Sequence, residues 1–206
     1  MPTELHEAPA QFTNRFLPVS VTDPLNFLDL FGRSAPVEID LGCGDGTFLT
    51  AWAAENPARN FLGIERLCSR LEKAHRKIAR LALSNVRLLG IETSYAVTHL
   101  IPIESVSSFH LLFPDPWPKR RHHRRRIFAR GFVRAVFRSL EESGLFHIAT
   151  DDADYFSAMK RLLADAALFA VCEDTVPFPL TTFEQRFAER GVPIYRLLLR
   201  KVSPVR

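Results

Sequence analysis

Residues 37–113 alternate between short apolar runs and segments whose apolar positions recur every three or four residues. A short apolar run is typical of a strand that is buried on both faces of a parallel sheet. The longer period is typical of a helix that covers such a sheet with one apolar face. The predicted strands are 37–41, 61–65, 86–89 and 106–113, and the predicted helices between them are 47–56, 67–83 and 93–101. This alternation predicts an α/β fold in which a doubly wound, mostly parallel sheet carries helices on both faces.

The carboxyl-terminal half continues the alternation, whereas the amino terminus departs from it. Further helices are predicted over 126–141, 155–167 and 183–190, and further strands over 146–151, 169–172 and 194–201. Residues 1–35 are Pro-rich and weakly patterned, so we expect an N-terminal arm that is mobile over about its first ten residues. One domain is expected to follow over 36–206. Within the arm, Phe27, Leu28, Leu30 and Phe31 predict a short helix that closes one end of the sheet.

The first predicted strand runs into a turn with three alternate glycines, Asp40-Leu41-Gly42-Cys43-Gly44-Asp45-Gly46. Glycines let backbone N–H groups approach a ligand closely, because no Cβ intrudes. The carboxylate of Asp40, at the carboxyl end of the strand, can accept hydrogen bonds from a cationic or polyhydroxylated ligand. The turn resembles the cofactor loop of class I S-adenosylmethionine-dependent methyltransferases.

A dinucleotide is the rival ligand for this turn. Its loop requires G-x-G-x-x-G with an acid about 20 residues later, and here Thr47 takes the place of the third glycine. Glu65, at the end of the next strand, fits either ligand because it can accept from ribose hydroxyls. A pyrophosphate would be repelled by Asp40 and Asp45, whereas S-adenosylmethionine carries a sulfonium and an ammonium and no phosphate. A glycine turn that binds no ligand is the remaining alternative.

Composition and cysteine usage narrow the class of protein. An apolar fraction of 47% and a charged fraction of 24% are typical of a globular chain and not of a disordered one. No apolar run approaches the roughly 18 residues needed to span a bilayer, and Glu4 and Glu7 stand where a secretory signal would carry basic residues. Cys43, Cys68 and Cys172 are odd in number and widely spaced, which predicts neither a disulfide framework nor a metal motif. We therefore expect a cytoplasmic protein in a reducing compartment, without a membrane contact.

The positive charge is concentrated in one segment of the chain. The formal net charge is +4, yet residues 119–138 hold nine Lys or Arg and no Asp or Glu. The remainder of the chain carries 18 basic against 23 acidic residues. An acidic body with one basic segment predicts a localised contact with a polyanion.

A proline-rich loop, Pro114-Asp115-Pro116-Trp117-Pro118, follows the fourth predicted strand directly. Three prolines in five residues exclude helix and sheet there. A rigid loop at the carboxyl end of a strand, with one acid and one Trp, is what an active site requires. A solvated basic loop is the alternative, but it leaves the stiffening and Asp115 unexplained.

The helix predicted over 126–141 carries four arginines on one face, at positions 126, 130, 134 and 138. Like charges at this spacing repel by about a few tenths of a kcal/mol per pair. The repulsion is tolerable if phosphates neutralise the arginines. A solvated helix face is the alternative, above all for Arg134 and Arg138.

The loop and the basic residues after it, P-D-P-W-P-K-R-R-H-H-R-R-R over 114–126, form a highly specific string. On this string the chain resembles the tRNA (guanine-N(7)-)-methyltransferase family, and residues 62–65, 146–151, 181–184 and 193–196 agree with it. The resemblance covers about residues 36–200. It implies a class I methyltransferase (Rossmann-like) fold with seven strands, the last antiparallel. It also implies transfer of a methyl group from S-adenosylmethionine to N7 of a guanine in the variable loop of tRNA.

The resemblance further implies roles for individual residues. The implied contacts to S-adenosylmethionine are Asp40, Gly42, Gly44, Glu65, Glu92 and Asp115. The implied contacts to the substrate are Lys119, Asp151, Thr181, Thr182, Phe183 and Glu184. The side chains expected to contact tRNA phosphates are Arg120, Arg121, Arg124, Arg125 and Arg126. Glu92, whose implied contact is to the adenine, stands where the family often has Asp.

Asp115 is the predicted catalytic residue, and Asp151 is the alternative for part of its role. N7 of guanine has an in-plane lone pair and no proton, so no general base is required before attack. A carboxylate near both reacting atoms favours the positive charge that moves from sulfur to the purine. Trp117 or Phe183 could stack on the extruded base, and packing within the loop is the alternative role for Trp117.

Other functions remain open at this stage. Asp151, Asp152 and Asp154 could be read as a metal-binding group, but we expect helix caps and dipole partners there, because a helix begins at that point; no metal is predicted. The alternative functions are an RNA-binding protein of methyltransferase fold without activity and a nicotinamide-dependent oxidoreductase. The chain is expected to be a monomer or a homodimer.

Overall fold

The computed structural model describes residues 15–16, 22–166, 168–173 and 176–202. The mobility expected for the first ten residues concerns a part of the chain outside these ranges. The strands are β1 (Arg15–Phe16), β2 (Val37–Leu41), β3 (Asn60–Ile64), β4 (Val86–Leu89), β5 (Val106–Leu112), β6 (Leu140–Thr150), β7 (Phe169–Val171) and β8 (Tyr195–Lys201). The α-helices are α1 (Phe27–Phe31), α2 (Thr47–Glu55), α3 (Cys68–Arg80), α4 (Thr93–Tyr95), α5 (Arg130–Ser139), α6 (Ala153–Ala166) and α7 (Thr182–Glu189). A π-helical turn continues α4 over Ala96–Leu100, and a 3₁₀ helix covers Arg120–Arg125.

The strands form one sheet in the order β1-β4-β3-β2-β5-β6-β8-β7. β8 pairs antiparallel with both β6 and β7, and the other neighbours pair in parallel. The predicted seven-stranded, mostly parallel sheet with an antiparallel last strand is therefore confirmed. The two-residue strand β1, parallel to β4, adds an eighth strand that the apolar pattern did not predict.

Helices cover both faces of the sheet, as predicted. Alternate residues of a strand point to opposite faces, and they divide here between two apolar clusters. Leu62 and Ile64 of β3 pack in one cluster with α5 and α6, whereas Phe61 packs in the other with α2 and α3. All residues of β2, β3 and β4 are buried, which explains why these strands read as continuous apolar runs.

Element boundaries differ from the prediction around residues 120–145. The 3₁₀ helix Arg120–Arg125 shows that the prolines exclude helix only within their own loop, and α5 begins at Arg130, later than predicted. β6 begins earlier than predicted because Leu140 pairs with Val106, after which the register shifts before Leu145 pairs with Ser108. Such a register shift is a property of strand pairing and leaves no periodic signal in the sequence.

The helix predicted at residues 27–31 is confirmed as α1. Asn26 caps it, since its side-chain oxygen accepts from the backbone N–H groups of Leu28 and Asp29. Phe31 is buried in the core, and Arg33 donates to the Asn60 side chain at 2.7 Å. The described part of the arm is thus tied to the same core as the domain.

A buried polar network holds α2 against the sheet. Glu38 of β2 accepts a 2.8 Å hydrogen bond from Trp52 Nε1, and its same oxygen lies 2.8 Å from His110 Nε2. Arg59 pairs with the other oxygen at 3.0 Å. Because Trp52 lies on α2 and α2 begins at the glycine turn, this network also orients the turn.

Candidate active site

A cleft of about 510 Å³ lies at the carboxyl ends of β2, β3 and β5. Parallel strands bring their carboxyl ends to one edge, where α/β proteins bind ligands. Of the predicted site residues, the cleft is lined by Gly42, Glu65, Glu92, Asp115 and Arg125. The glycine turn and the aspartate of the proline-rich loop, separated by about 70 residues in the chain, therefore share one cavity.

The glycine turn has a backbone shape that requires glycine. Gly42 and Gly44 have φ angles of 78° and 55°, in the left-handed region. Both Gly42 N and Cys43 N donate to Ile64 O, at 2.8 and 2.9 Å, which fastens the turn to the end of β3. A Cβ on Gly42 would meet no protein atom within 4 Å, so the backbone there faces open space. A ligand can therefore approach this backbone closely.

Asp40 is buried, with 3% of its surface exposed, at the base of the turn. No hydrogen bond to its carboxylate comes from the residues that the structure describes. Burial, together with the negative charge of Glu65, raises the pKa of Asp40 to about 8. A buried carboxyl without a donor favours a ligand that supplies positive charge or hydroxyl groups.

Glu65 and Glu92 both line the cleft, but their carboxylates have different hydrogen-bond partners. Glu65 accepts from Leu67 N at 2.9 Å and lies 3.7 Å from Arg70. Glu92 caps α4, because its two oxygens accept from Ser94 N at 3.0 Å and Tyr95 N at 2.7 Å. The acid at position 92 therefore has a structural task beside any contact with a ligand.

The proline-rich loop is held in a strained conformation over the cleft. Phe113 and Trp117 have φ angles of 53° and 45°, in a region that costs a residue other than glycine about 1–3 kcal/mol. Arg126 Nε donates to Pro116 O at 2.7 Å, and the Arg125 guanidinium lies 4.9 Å from the Trp117 ring centroid. The clamped loop keeps Asp115 exposed on the cleft wall.

The prediction that Arg126 contacts phosphate is wrong. Its side chain is only 7% exposed, pairs with Asp154 at 2.9 Å and lies 4.6 Å from the Tyr155 ring centroid. The helical stripe predicted to start at Arg126 is wrong at that position too, because α5 begins only at Arg130. The sequence could not show this, since Asp154 and Tyr155 come from α6.

The remaining basic residues of the loop lie in or beside the 3₁₀ helix, which has no buried residue. Arg125 reaches the cleft, whereas the cleft lining does not include Lys119, Arg120, Arg121 or Arg124. These four side chains are exposed. They form a basic surface next to the cleft.

Residues 181–184 pack against the glycine turn and the proline-rich loop. Thr182 Oγ1 lies 2.8 Å from Thr47 Oγ1, at the start of α2. Thr181 and Glu184 form a capping box for α7, so much of their hydrogen-bonding capacity is used locally. Phe183 is 44% exposed, and its ring centroid lies 6.0 Å from that of Phe113. An exposed aromatic ring thus stands at the rim of the cleft.

The acidic residues after β6 have different roles: one caps a helix and another forms an ion pair. Asp152 accepts from Tyr155 N at 2.7 Å, which confirms the predicted cap of α6. Asp154 pairs with Arg126. Asp151 is half-buried just beyond the end of β6 and does not line the cleft. The described residues contain no group of three or more potential metal ligands.

Two cleft residues were missed by the sequence analysis. Arg66 and Arg70 both line the cleft, although the sequence predicts no role for either. Their position within five residues of Glu65 was the available signal, because side chains that follow a carboxyl strand end lie at the ligand edge.

The sequence of this chain is similar to those of known methyltransferases. A family described as "Putative methyltransferase" matches residues 34–197. The tRNA (guanine-N(7)-)-methyltransferase of Sodalis glossinidius is 36% identical over 185 residues, which cover 86% of this chain and 77% of that protein. The enzyme of the same name from Alkalilimnicola ehrlichii is 37% identical over 191 residues, covering 86% and 78%.

Solved structures share the fold at low sequence identity. The crystal structure of the 16S rRNA methyltransferase KamB superposes with a TM-score of 0.62 at 20% identity, covering 86% of this chain and 93% of that one. The aminoglycoside resistance methyltransferase NpmB1 gives a TM-score of 0.58 at 17% identity, covering 85% and 92%. In the described ranges, no helix has both the length and the apolar content to cross a membrane.

Proposed function

Since this chain belongs to the tRNA (guanine-N(7)-)-methyltransferase family, we propose that it transfers a methyl group from S-adenosylmethionine to N7 of a guanine in the variable loop of tRNA. The observation that carries the proposal is the shared cleft. Gly42 and Glu65 of the proposed cofactor site and Asp115 of the proline-rich loop line the same cavity. We place the protein in the cytoplasm, where its proposed substrate is found.

The residues at the glycine turn fit S-adenosylmethionine, which supplies a methyl group on a positively charged sulfur. Asp40 offers a buried carboxyl without a described donor, suited to a cationic ligand. The backbone of Gly42 faces open space, and a Cβ on Gly44 would meet only Gly42 O at 4.0 Å, so in this proposal the ligand approaches both glycines closely. Glu65 accepts from the ribose hydroxyls, and Glu92 lies beside the adenine in this proposal.

Positioning accounts for most of the proposed catalysis. N7 of guanine carries a lone pair, so the chain needs to align it with the methyl group and to exclude water. Alignment of two reactants lowers a barrier by up to about 7–11 kcal/mol. The strained loop holds Asp115 on the cleft wall, where its carboxylate stabilises positive charge as it moves to the purine. Asp151, beyond the neighbouring strand, contacts the substrate guanine.

In this proposal Phe183 stacks on the guanine, and Trp117 packs within the proline-rich loop and its basic neighbours. One face of Trp117 is covered by the Arg125 guanidinium, and His122 packs edge-on at 5.8 Å between ring centroids. Phe183 is 44% exposed at the cleft rim. Thr181, Thr182 and Glu184 hold the start of α7 in place beneath the guanine. The tRNA phosphates bind to the exposed basic residues of the loop, Lys119, Arg120, Arg121, Arg124 and Arg125.

The direct test is mass spectrometry of tRNA nucleosides after incubation with the protein and S-adenosylmethionine. We expect 7-methylguanosine with an unmodified tRNA transcript. We expect none with a transcript whose variable-loop guanine is changed to adenine, and much slower formation with the Asp115→Ala protein. Calorimetric titration with S-adenosylmethionine accompanies the assay. Binding of tRNA without 7-methylguanosine and without cofactor heat would instead support an RNA-binding protein that lacks activity.

A further inference from the structure

The structure shows a second basic surface, which lies on α3 and just before its first residue and was not predicted to contact a ligand. It consists of Arg66, Arg70, Lys73, Arg76, Lys77 and Arg80, and we call it the α3 basic surface. Over residues 66–80 the only acidic residue is Glu72. Spacings of three and four residues place these side chains along one stripe of the helix.

Most of these charges have no carboxylate partner within the described part of the chain. Among the described residues, Arg66, Lys73, Arg76 and Arg80 form no ion pair, and all four are exposed. Lys77 pairs with Asp45 at 2.9 Å, and Arg70 lies 3.7 Å from Glu65. Clustered and unpaired like charges destabilise a helix, so the surface is suited to a polyanion that neutralises them.

The α3 basic surface begins at the cleft and extends away from it. Arg66 and Arg70 line the cleft, whereas Lys73, Arg76, Lys77 and Arg80 line a separate groove of about 350 Å³ together with Asp45. The thirteen residues of α3 span about 20 Å. This length matches a run of several backbone phosphates and exceeds a single small anion.

The cleft therefore lies between two basic surfaces, with Arg125 on one wall and Arg66 and Arg70 on the other. Outside residues 66–80 and 119–138, the chain carries 12 basic and 22 acidic residues. The excess of positive charge is thus concentrated in the two segments that reach the cleft, whereas the rest of the chain carries a net negative charge that repels polyanions.

We propose that the α3 basic surface binds backbone phosphates of the substrate RNA outside the target loop, so that the RNA is held on both sides of the cleft. The inference rests on the proposed function for the identity of that RNA as tRNA. The juxtaposition that carries it is the row of basic side chains that runs from the cleft wall along α3, in which Arg70 and Lys77 alone have a carboxylate partner among the described residues. Phosphate contacts of this kind position a nucleic acid without reading its sequence.

The test compares tRNA binding by two double variants over a range of salt concentrations. Lys73→Ala with Arg76→Ala removes two exposed charges of the α3 basic surface. Arg138→Ala with Arg200→Ala is the matched control. These two arginines donate to main-chain oxygens of Thr98 and Ser143, and Arg138 lies beside the amino end of β5, away from the cleft.

For the α3 variant, we expect the slope of log affinity against log salt to fall by about 1.4–1.8, at roughly 0.7–0.9 per lost phosphate contact. Binding at about 0.15 M salt should weaken roughly tenfold, and S-adenosylmethionine affinity should stay unchanged. A slope equal to that of the wild type, or an equal change in the control variant, would overturn the inference. Binding is measured without turnover, so the result is independent of methylation. If the wild type binds tRNA but forms no 7-methylguanosine, the proposed function fails while the α3 result still decides this inference.

Discussion

Asp40 should release a proton when S-adenosylmethionine binds, and Asp40→Asn should abolish that release. The pKa of Asp40 is raised to about 8 because its carboxyl is buried, with Glu65 as a negative neighbour. At pH 7 about nine in ten molecules therefore carry this proton. A positively charged ligand favours the carboxylate, so binding at pH 7 should displace about 0.9 proton from Asp40.

Because binding releases a proton from Asp40, the affinity for S-adenosylmethionine should depend on pH. Below pH 8, each unit of falling pH should weaken wild-type binding about tenfold, which corresponds to about 1.4 kcal/mol. Above pH 8, where Asp40 is already ionised, this dependence should level off. Asp40→Asn should bind more weakly than the wild type at pH 8, and the difference between the two proteins should shrink as the pH falls.

Isothermal titration calorimetry in buffers of different ionisation enthalpy measures the protons released. The amino group of the ligand also titrates near neutral pH, but its contribution is common to both proteins and cancels in the comparison. Asp29→Asn, an exposed aspartate on α1, is the matched control and should behave as the wild type. Equal proton release by the wild type and Asp40→Asn would refute the reasoning.

The stability of the ligand-free protein provides a second readout. The folded pKa of Asp40, about 8, lies above the ordinary value of 3.8, so the folded state binds the proton more tightly than the unfolded state. The free energy of unfolding should therefore fall as the pH rises between these two values. Asp40→Asn removes this penalty and should stabilise the ligand-free protein by about a few kcal/mol at pH 8, as measured by urea unfolding.

Three further predictions concern catalysis, stability and the RNA contact. Asp115→Ala should lower the single-turnover methylation rate by about 10²–10³-fold while S-adenosylmethionine affinity falls less than about tenfold; a wild-type rate would remove Asp115 from the mechanism. Glu38→Ala leaves Trp52 Nε1 and His110 without their buried partner and should lower the free energy of unfolding by about 3–5 kcal/mol, whereas a loss below about 1 kcal/mol in urea unfolding would contradict the network. Phe183→Ala should weaken tRNA binding by about 1–3 kcal/mol, Phe183→Tyr should retain it, and equal affinity of the two variants would exclude stacking.

Local patterns were sufficient for the elements whose neighbours are close in the chain. β2 to β4 are buried on both faces, so their apolar runs identify them. The glycine turn was evident because only glycine adopts the φ angles of 78° and 55° found at Gly42 and Gly44 without strain. The Asp152 cap was also predictable, since its acceptor bonds to a backbone N–H only three residues on.

Patterns failed where a side chain meets a distant segment. Arg126 belongs to the basic string, yet it is buried against Tyr155 and paired with Asp154 of α6. Arg70 resembled any charged residue on a helix surface, yet it lines the cleft. A run of like charges in the sequence does not show which side chains are buried or which line the site. Both depend on how the helices pack on the sheet.

The sequence by itself determined the alternating α/β fold, the glycine turn and the proline-rich loop. Backbone preferences and the spacing of buried apolar residues depend on residues that are close together in the chain. Only the tertiary structure decided that Asp115 shares a cleft with Gly42, that Asp40 is buried with a raised pKa, and that Arg70 of α3 reaches the same cleft. The physical reason is that proximity and desolvation arise when the sheet is assembled, between residues that no period in the sequence connects.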